Sequence, residues 1–198
     1  MVCWVAPSSS RCWAYSVFDS APMLCALGAC VRLFSTAGER EIPIAALYRD
    51  DGIDYLAKRP DELVTEITVP AEADAEHCRQ AFWKLRRRGS IDFAVLSAAV
   101  AVWLAGDGTV TDARIVLGAV ASYPVPATAA AEALRSKPLT AKVIAKAAAL
   151  ARRDATPMDN TDFQAQWRGA VVTKYVEAAL RNCAGLPAEQ LPPKHPTL

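Results

Sequence analysis

Helical spacing begins at Asp19. Met23, Leu24 and Leu27 fall on one side of the predicted turn pair. Asp19 or Ser20 can cap the free N–H groups, and Pro22 falls in the first turn, where its missing N–H costs nothing. Gly28 or Ala29 ends the helix. Residues 30–34 then read as a strand, residues 38–40 as a turn, and residues 41–44 as a second short strand in which Pro43 favours a sheet edge. A turn at residues 59–62 precedes residues 63–69, where Leu63, Thr65, Ile67 and Val69 alternate with Val64, Glu66 and Thr68. That period of two predicts a third strand.

Residues 71–81 are acidic and Ala-rich and read as a linker or short loop. Residues 82–85 look extended, and Arg86, Arg87 and Arg88 begin a basic loop. Residues 94–104 are apolar throughout, which suits strand or helix. The Gly106-Asp107-Gly108 turn and the β-branched run over 110–120 favour a hairpin. Past Pro124, helical spacing recurs over 127–134, 140–153 and 161–183, with Thr140 and Thr161 as N-caps. In the last of these Phe163, Trp167, Val171, Tyr175 and Ala178 form an apolar stripe. The stripe predicts burial of Trp167 and Tyr175, with Arg168 pairing locally or holding residues 159–162. The tail, 187–198, carries four prolines and reads as loose. Strands first, then a hairpin and three helices, make an α+β order.

Composition narrows the function classes. The 198 residues are 53% hydrophobic, which suits a packed globular chain, and the formal net charge is only +1. That balance argues against a protein whose main task is to neutralise nucleic-acid phosphates. It argues equally against a polybasic membrane anchor. No apolar run approaches the roughly 18 residues that span a bilayer. With no cationic segment before an apolar run, a cytoplasmic location is the expectation. In that compartment the six cysteines are thiols rather than disulfides. Cys25, Cys30, Cys78 and Cys183 lie in apolar or helical contexts that predict burial.

Little in the residues alone announces chemistry. His77 and His195 sit in the acidic linker and the Pro-rich tail and read as solvated. There is no Gly-rich phosphate loop, nucleophile elbow or His-x-x-x-His pair. The run from Lys84 to Arg88 is the densest charge cluster, and it reads first as a solvated loop.

A resemblance enters at residues 82–93, Phe-Trp-Lys-Leu-Arg-Arg-Arg-Gly-Ser-Ile-Asp-Phe. This segment resembles the flavin-side loop in the FAD-binding subunits of the molybdenum hydroxylases. That family includes the carbon monoxide dehydrogenase medium subunit, the xanthine dehydrogenase flavin domain and the 4-hydroxybenzoyl-CoA reductase β subunit. Residues 106–108, 112–120 and 157–162, Trp167-Arg168, the Asp19-to-Ala29 helix and the turn and strand at 59–67 fit the same pattern. The likeness runs from about residue 12 to about residue 184. Pro126 departs from it, since the family often has Arg there.

The resemblance implies three parts: residues 1–75 as the C-terminal remnant of a flavin-binding domain, 76–186 as an antiparallel sheet packed with a three-helix bundle, and 187–198 as a tail. It implies FAD as cofactor, with the molybdenum cofactor in a large partner subunit and two-iron clusters in a small one. The flavin would exchange electrons between those clusters and an external acceptor. The family's Gly-rich segments that hold the pyrophosphate have no counterpart here, so the chain is expected to be a C-terminal portion. The alternative is a docking module that has lost FAD binding.

Four positions carry over to the flavin site. Asp19 matches an acidic residue near the adenosine end, with a helix cap as its plain role. Val64 matches an apolar residue whose backbone nears the flavin ring. Lys84 matches a lysine near that ring, where a cation would stabilise the reduced, negatively charged flavin. Asp92 shares a loop with Arg87 that would gate an electron acceptor. Cys3 and Cys12 resemble the end of an insertion that holds a four-iron cluster in one branch. Such a cluster needs four thiolates, so the pair alone is not expected to assemble one.

Overall fold

The computed structural model describes residues 3, 6–71, 76, 78–158 and 163–188. Its element order is α1 (Ala21–Leu27), β1 (Cys30–Ser35), β2 (Gly38–Pro43), β3 (Leu63–Thr68), β4 (Cys78–Leu85), β5 (Leu96–Leu104), β6 (Val110–Gly118), β7 (Val125–Pro126), α2 (Thr128–Glu132), α3 (Ala141–Ala151) and α4 (Ala165–Cys183). Single turns of 3₁₀ helix follow β2 and α3. Two antiparallel sheets result, one of order β2-β1-β3 and one of order β4-β5-β6-β7.

The four-stranded sheet holds most of the core because both its faces are covered. Along β5, residues 96–102 are all buried. Leu96, Ala98, Val100 and Val102 share one core with Val172, Tyr175, Val176, Ala179 and Leu180 of α4, which packs in turn on Ile144, Ala147 and Ala148 of α3. Ala99 and Ala101 meet Ala26 of α1 on the opposite face. That double burial explains a β5 sequence without alternation.

α1 bridges the two sheets. Gly28 closes it in a left-handed conformation, φ 73°, where glycine avoids the Cβ penalty. Met23 and Leu27 pack toward the four-stranded sheet, whereas Leu24 packs with Val31, Leu33, Ile44 and Leu47 beside the smaller one. The expected single apolar side is therefore split, because the helix lies between two cores. Its approach to the large sheet is close. A Cβ on Gly118 would lie 2.3 Å from Ser97 Oγ and 2.8 Å from Pro22 Cγ.

Several local expectations are corrected. The first hairpin turns at Thr36-Ala37, and Gly38 to Arg40 belong to β2, paired with Leu33 to Ser35. Residues 78–81 are strand rather than linker, since β4 gains a full ladder with β5. β3 exists, but each of its residues is exposed on both faces; its alternation does not mark a buried side. Cys183 is buried, while Cys25, Cys30 and Cys78 are only partly so. Thr140 does cap α3, accepting from the Val143 amide at 3.4 Å. The proposed cap Thr161, the segment 159–162, His77, and His195 with most of the tail lie outside the described residues.

The last helix begins at Ala165, not Thr161. Tyr175 and Ala178 are buried, but Trp167 is only half-buried, stacked on Phe163 at 4.9 Å. The deep face runs through Arg168, Val172, Val176, Ala179 and Cys183, one position beside the predicted stripe. Arg168 itself is fully buried. Its guanidinium donates to the carbonyls of Val95 (3.1 Å), Ala119 and Met158 (3.3 Å) and lies over the Tyr15 ring. Ala119 has φ 59°, so this arginine clamps a strained turn.

Charge is distributed unevenly. From Ala133 to Arg153 the sequence has six cations and no carboxylate. Arg135, Lys137, Lys142, Lys146, Arg152 and Arg153 are all exposed.

Candidate functional site

β4 delivers the first candidate. Lys84 pairs in register with Ser97 of β5, which pairs with Gly118 of β6. All three point to the α1 side of the sheet. The Lys84 side chain is 17% exposed, and its Nζ lies 2.6 Å from Asp19 Oδ1. Asp19 precedes α1, and its side chain is 65% exposed. Ser20, not Asp19, is the N-cap residue, and no side chain caps this helix. The structure thus brings two of the four carried-over residues into one ion pair and leaves the plain capping role of Asp19 unfilled.

Beside this pair, Ser97 Oγ is buried and has no hydrogen-bond partner among the described residues. It is wedged against Gly118 and Pro22. The close seating of α1 fixes where Asp19 stands relative to β4.

Asp92 lies on the loop after β4. It accepts from the Arg88 amide (3.0 Å), the Phe93 amide (2.9 Å) and Arg88 Nη2 (3.1 Å). Arg88 and these amides pull the Asp92 carboxyl down to about 2. The loop is therefore latched on itself, and it presents Ile91 (93% exposed) and Phe93 (74%) to solvent. Arg87 lies over the Phe163 ring at 5.7 Å.

Val64 stands on β3, in the other sheet, and is exposed. Leu63, Ile67 and Val69 are exposed with it, so β3 offers apolar surface rather than a finished pocket. Cys12 anchors the N-terminal segment: its amide donates to Asp51 Oδ1 at 3.4 Å and its carbonyl accepts from Gly52 at 2.9 Å. Cys3 is partly exposed. Among the described residues, no group of three or more His, Cys, Asp or Glu is arranged to hold a metal ion. Burial pushes the Cys25 thiol up to about 11 and the Cys183 thiol up to about 12. Both remain protonated at neutral pH, poor nucleophiles and poor ligands.

Glu62 carries no signal in its local pattern, which reads only as a turn. It is 1% exposed, accepts from Arg40 Nε (2.6 Å), Arg40 Nη2 (2.9 Å) and the Arg59 amide (2.5 Å), and is held at about 2 chiefly by the Arg40 bonds. This cluster ties β2 to the start of β3. Its three donors leave the Glu62 carboxylate committed to the fold.

Two depressions lie elsewhere. One, of about 210 Å³, is lined by Cys25, Ala45, Arg114, Val116, Ala127 and Arg135. The other, more open and about 500 Å³, lies between Trp13 and Met158. None of Asp19, Val64, Lys84 or Asp92 lines either. No helix among the described residues is long and apolar enough to cross a membrane.

A family model for the CO dehydrogenase flavoprotein C-terminal domain matches residues 80–183. The chain is 31% identical over 123 residues to the FAD subunit of nicotinate dehydrogenase from Eubacterium barkeri, covering 62% of this chain and 41% of that protein. It is 31% identical over 158 residues to the alpha subunit of the 6-hydroxypseudooxynicotine dehydrogenase complex from Paenarthrobacter nicotinovorans, covering 80% of this chain and 52% of that one. The chain thus spans about half the length of these relatives. Among solved structures, carbon monoxide dehydrogenase from Hydrogenophaga pseudoflava superposes with a TM-score of 0.77 at 28% identity, covering 84% of this chain and 56% of that chain. The enzyme from Oligotropha carboxidovorans gives 0.74 at 27% identity, covering 85% and 57%. The chain belongs to the CO dehydrogenase flavoprotein C-terminal domain family, within the FAD subunits of the molybdenum hydroxylases, and corresponds to their C-terminal part.

Proposed function

We propose that this chain forms the flavin-ring side of a FAD subunit that passes electrons between iron–sulfur clusters and an external acceptor. In this reading residues 1–75 complete a flavin-binding domain and 76–186 form the domain that closes on the ring. The carrying observation is the placement of Lys84, a largely sheltered cation on β4, inside the segment that the family model matches. The residues suit the cofactor. Exposed apolar β3 offers cover for a ring that is apolar on its faces, and Lys84 offers a positive charge for a ring that turns negative on reduction. When bound, FAD supplies the redox chemistry. Lys84 sets its potential, Val64 covers it, and the loop latched by Arg88 and Asp92 controls the approach of the acceptor. The partners in this reading are a large molybdenum-cofactor subunit and a small iron–sulfur subunit, in the cytoplasm.

The Gly-rich segments that would cradle the pyrophosphate are not in this sequence, and the pyrophosphate carries most of the cofactor's charge. The chain alone should therefore bind FAD weakly. A second reading, a docking module without FAD, draws support from the exposed Leu63, Val64 and Ile67. The test is the flavin content of the purified multi-subunit enzyme, beside a fluorescence titration of this chain with FAD. Flavin in the assembly and weak binding by the chain support the first reading. An assembly without flavin selects the docking module.

A further inference from the structure

We infer that Asp19 acts at the flavin-ring end of the cofactor, through Lys84, as a positioning residue that tunes the flavin potential. The inference rests on the reading above that Lys84 faces the ring. A family-wide correspondence would put Asp19 near adenosine and Lys84 near the ring. An extended dinucleotide keeps those two ends well apart, whereas the carboxylate and the ammonium here are 2.6 Å apart. Such a pair meets one part of the cofactor, and Lys84, anchored in β4, determines which.

The geometry is not an accident of two loose side chains. Asp19 is carried by the entry to α1, and α1 is seated against the sheet at Gly118, Ser97 and Pro22. Lys84 stands in register with Ser97 in the same row. Asp19 is the one ion-pair partner of Lys84 among the described residues, while the neighbouring cation Arg88 is committed to Asp92. The Lys84 arm lies against the sheet and the carboxylate opens to solvent, as their exposures of 17% and 65% record.

The physical consequence has a definite sign. The ammonium favours the negatively charged reduced flavin and raises the potential. The carboxylate offsets that charge and competes with the ring for the ammonium, so it lowers the potential. Removing the carboxylate both relieves a repulsion and frees the ammonium to approach the ring. With Lys84 gone, only the first effect remains.

The experiment is a redox titration of the flavin-loaded holoenzyme carrying Lys84→Met, Asp19→Asn, Asp19→Glu or the Lys84→Met/Asp19→Asn pair. Lys84→Met should lower the midpoint. Asp19→Asn should raise it, shifting the reduced-to-oxidised affinity ratio by about fivefold, which is about 20 mV for a two-electron couple. The Asp19→Asn shift should shrink in the Lys84→Met background, and Asp19→Glu should restore the parent value. An unchanged midpoint in Asp19→Asn overturns the inference, as does an equal rise in both backgrounds, which would mean that Asp19 acts without Lys84. An unchanged midpoint in Lys84→Met instead refutes the placement of Lys84 at the ring, and the inference falls with it.

Discussion

Arg40 grips both oxygens of Glu62, Nε to Oε1 at 2.6 Å and Nη2 to Oε2 at 2.9 Å, on a small sheet whose other strand faces are largely open to water. The carboxyl falls from its usual value of 4.5 to about 2 in the fold. A lowered carboxyl stabilises the fold fully above its unfolded value and loses that contribution as pH falls through the folded one. Glu62→Gln should therefore unfold more easily than the parent at neutral pH, and the gap should close between about pH 4 and pH 2. Thermal melts across that range check this; a gap independent of pH would separate Glu62 from the acid response.

Arg168 supplies the second prediction. It satisfies two buried backbone carbonyls, Val95 and Ala119, and the part-buried one of Met158, and Ala119 holds a left-handed φ. Arg168→Met leaves those acceptors without their donor. Each orphaned buried acceptor costs about 1–3 kcal/mol, so a loss above about 2 kcal/mol is expected. Arg168→Lys should recover only part, because one ammonium cannot span three directions. Urea unfolding of the three proteins measures both numbers.

Gly118 and Ser97 make a paired prediction. Gly118→Ala drives a methyl against Ser97 Oγ and Pro22 and should cost about 1–3 kcal/mol by lifting α1. Ser97→Ala removes a buried hydroxyl that makes no hydrogen bond among the described residues, so it should be neutral or stabilising. Combined, Ser97→Ala should relieve part of the Gly118→Ala loss. Strict additivity in the double mutant would disprove their contact.

Asp92 offers a dynamic test. Its carboxylate closes the loop onto Arg88 and Phe93. Asp92→Asn should speed hydrogen exchange at the Arg88 and Phe93 amides without lowering the unfolding midpoint. Unchanged exchange would mean that the loop is latched elsewhere.

Trp167 shows how far helical spacing carries. Phe163, Trp167 and Val171 do recur every four residues, yet the core lies under Arg168, Val172 and Val176. Spacing cannot choose between two adjacent rows when one of them starts with an arginine. Trp167→Ala should accordingly cost about 1–2 kcal/mol, below the 3–5 kcal/mol of a fully buried tryptophan.

The same logic separates what the residues revealed from what they hid. The hairpin at 106–108, the cap at Thr140 and the αL stop at Gly28 each depend on a few neighbouring residues, so the chain announces them. Glu62 and Arg168 are buried by partners 22 and 73 residues away, which no local pattern encodes. Lys84 and Asp19 were identified singly by resemblance, and their pairing needed α1 seated on the sheet. β3 shows alternation without burial because, among the described residues, nothing packs over its apolar side chains.

The stretch from Arg135 to Arg153 carries six exposed cations and no carboxylate in a chain of net charge +1. The remainder of the sequence is net negative, and at the head of the run Arg135 pairs with Asp112 and Glu132. Long-range forces act on that asymmetry and not on the total. A cation-exchange matrix should retain the protein near its isoelectric point through the exposed Lys137, Lys142, Lys146, Arg152 and Arg153. Retention should weaken steeply with added salt as the Debye length shrinks below the size of the patch. An approaching acidic surface would meet the chain in one preferred orientation before any contact forms.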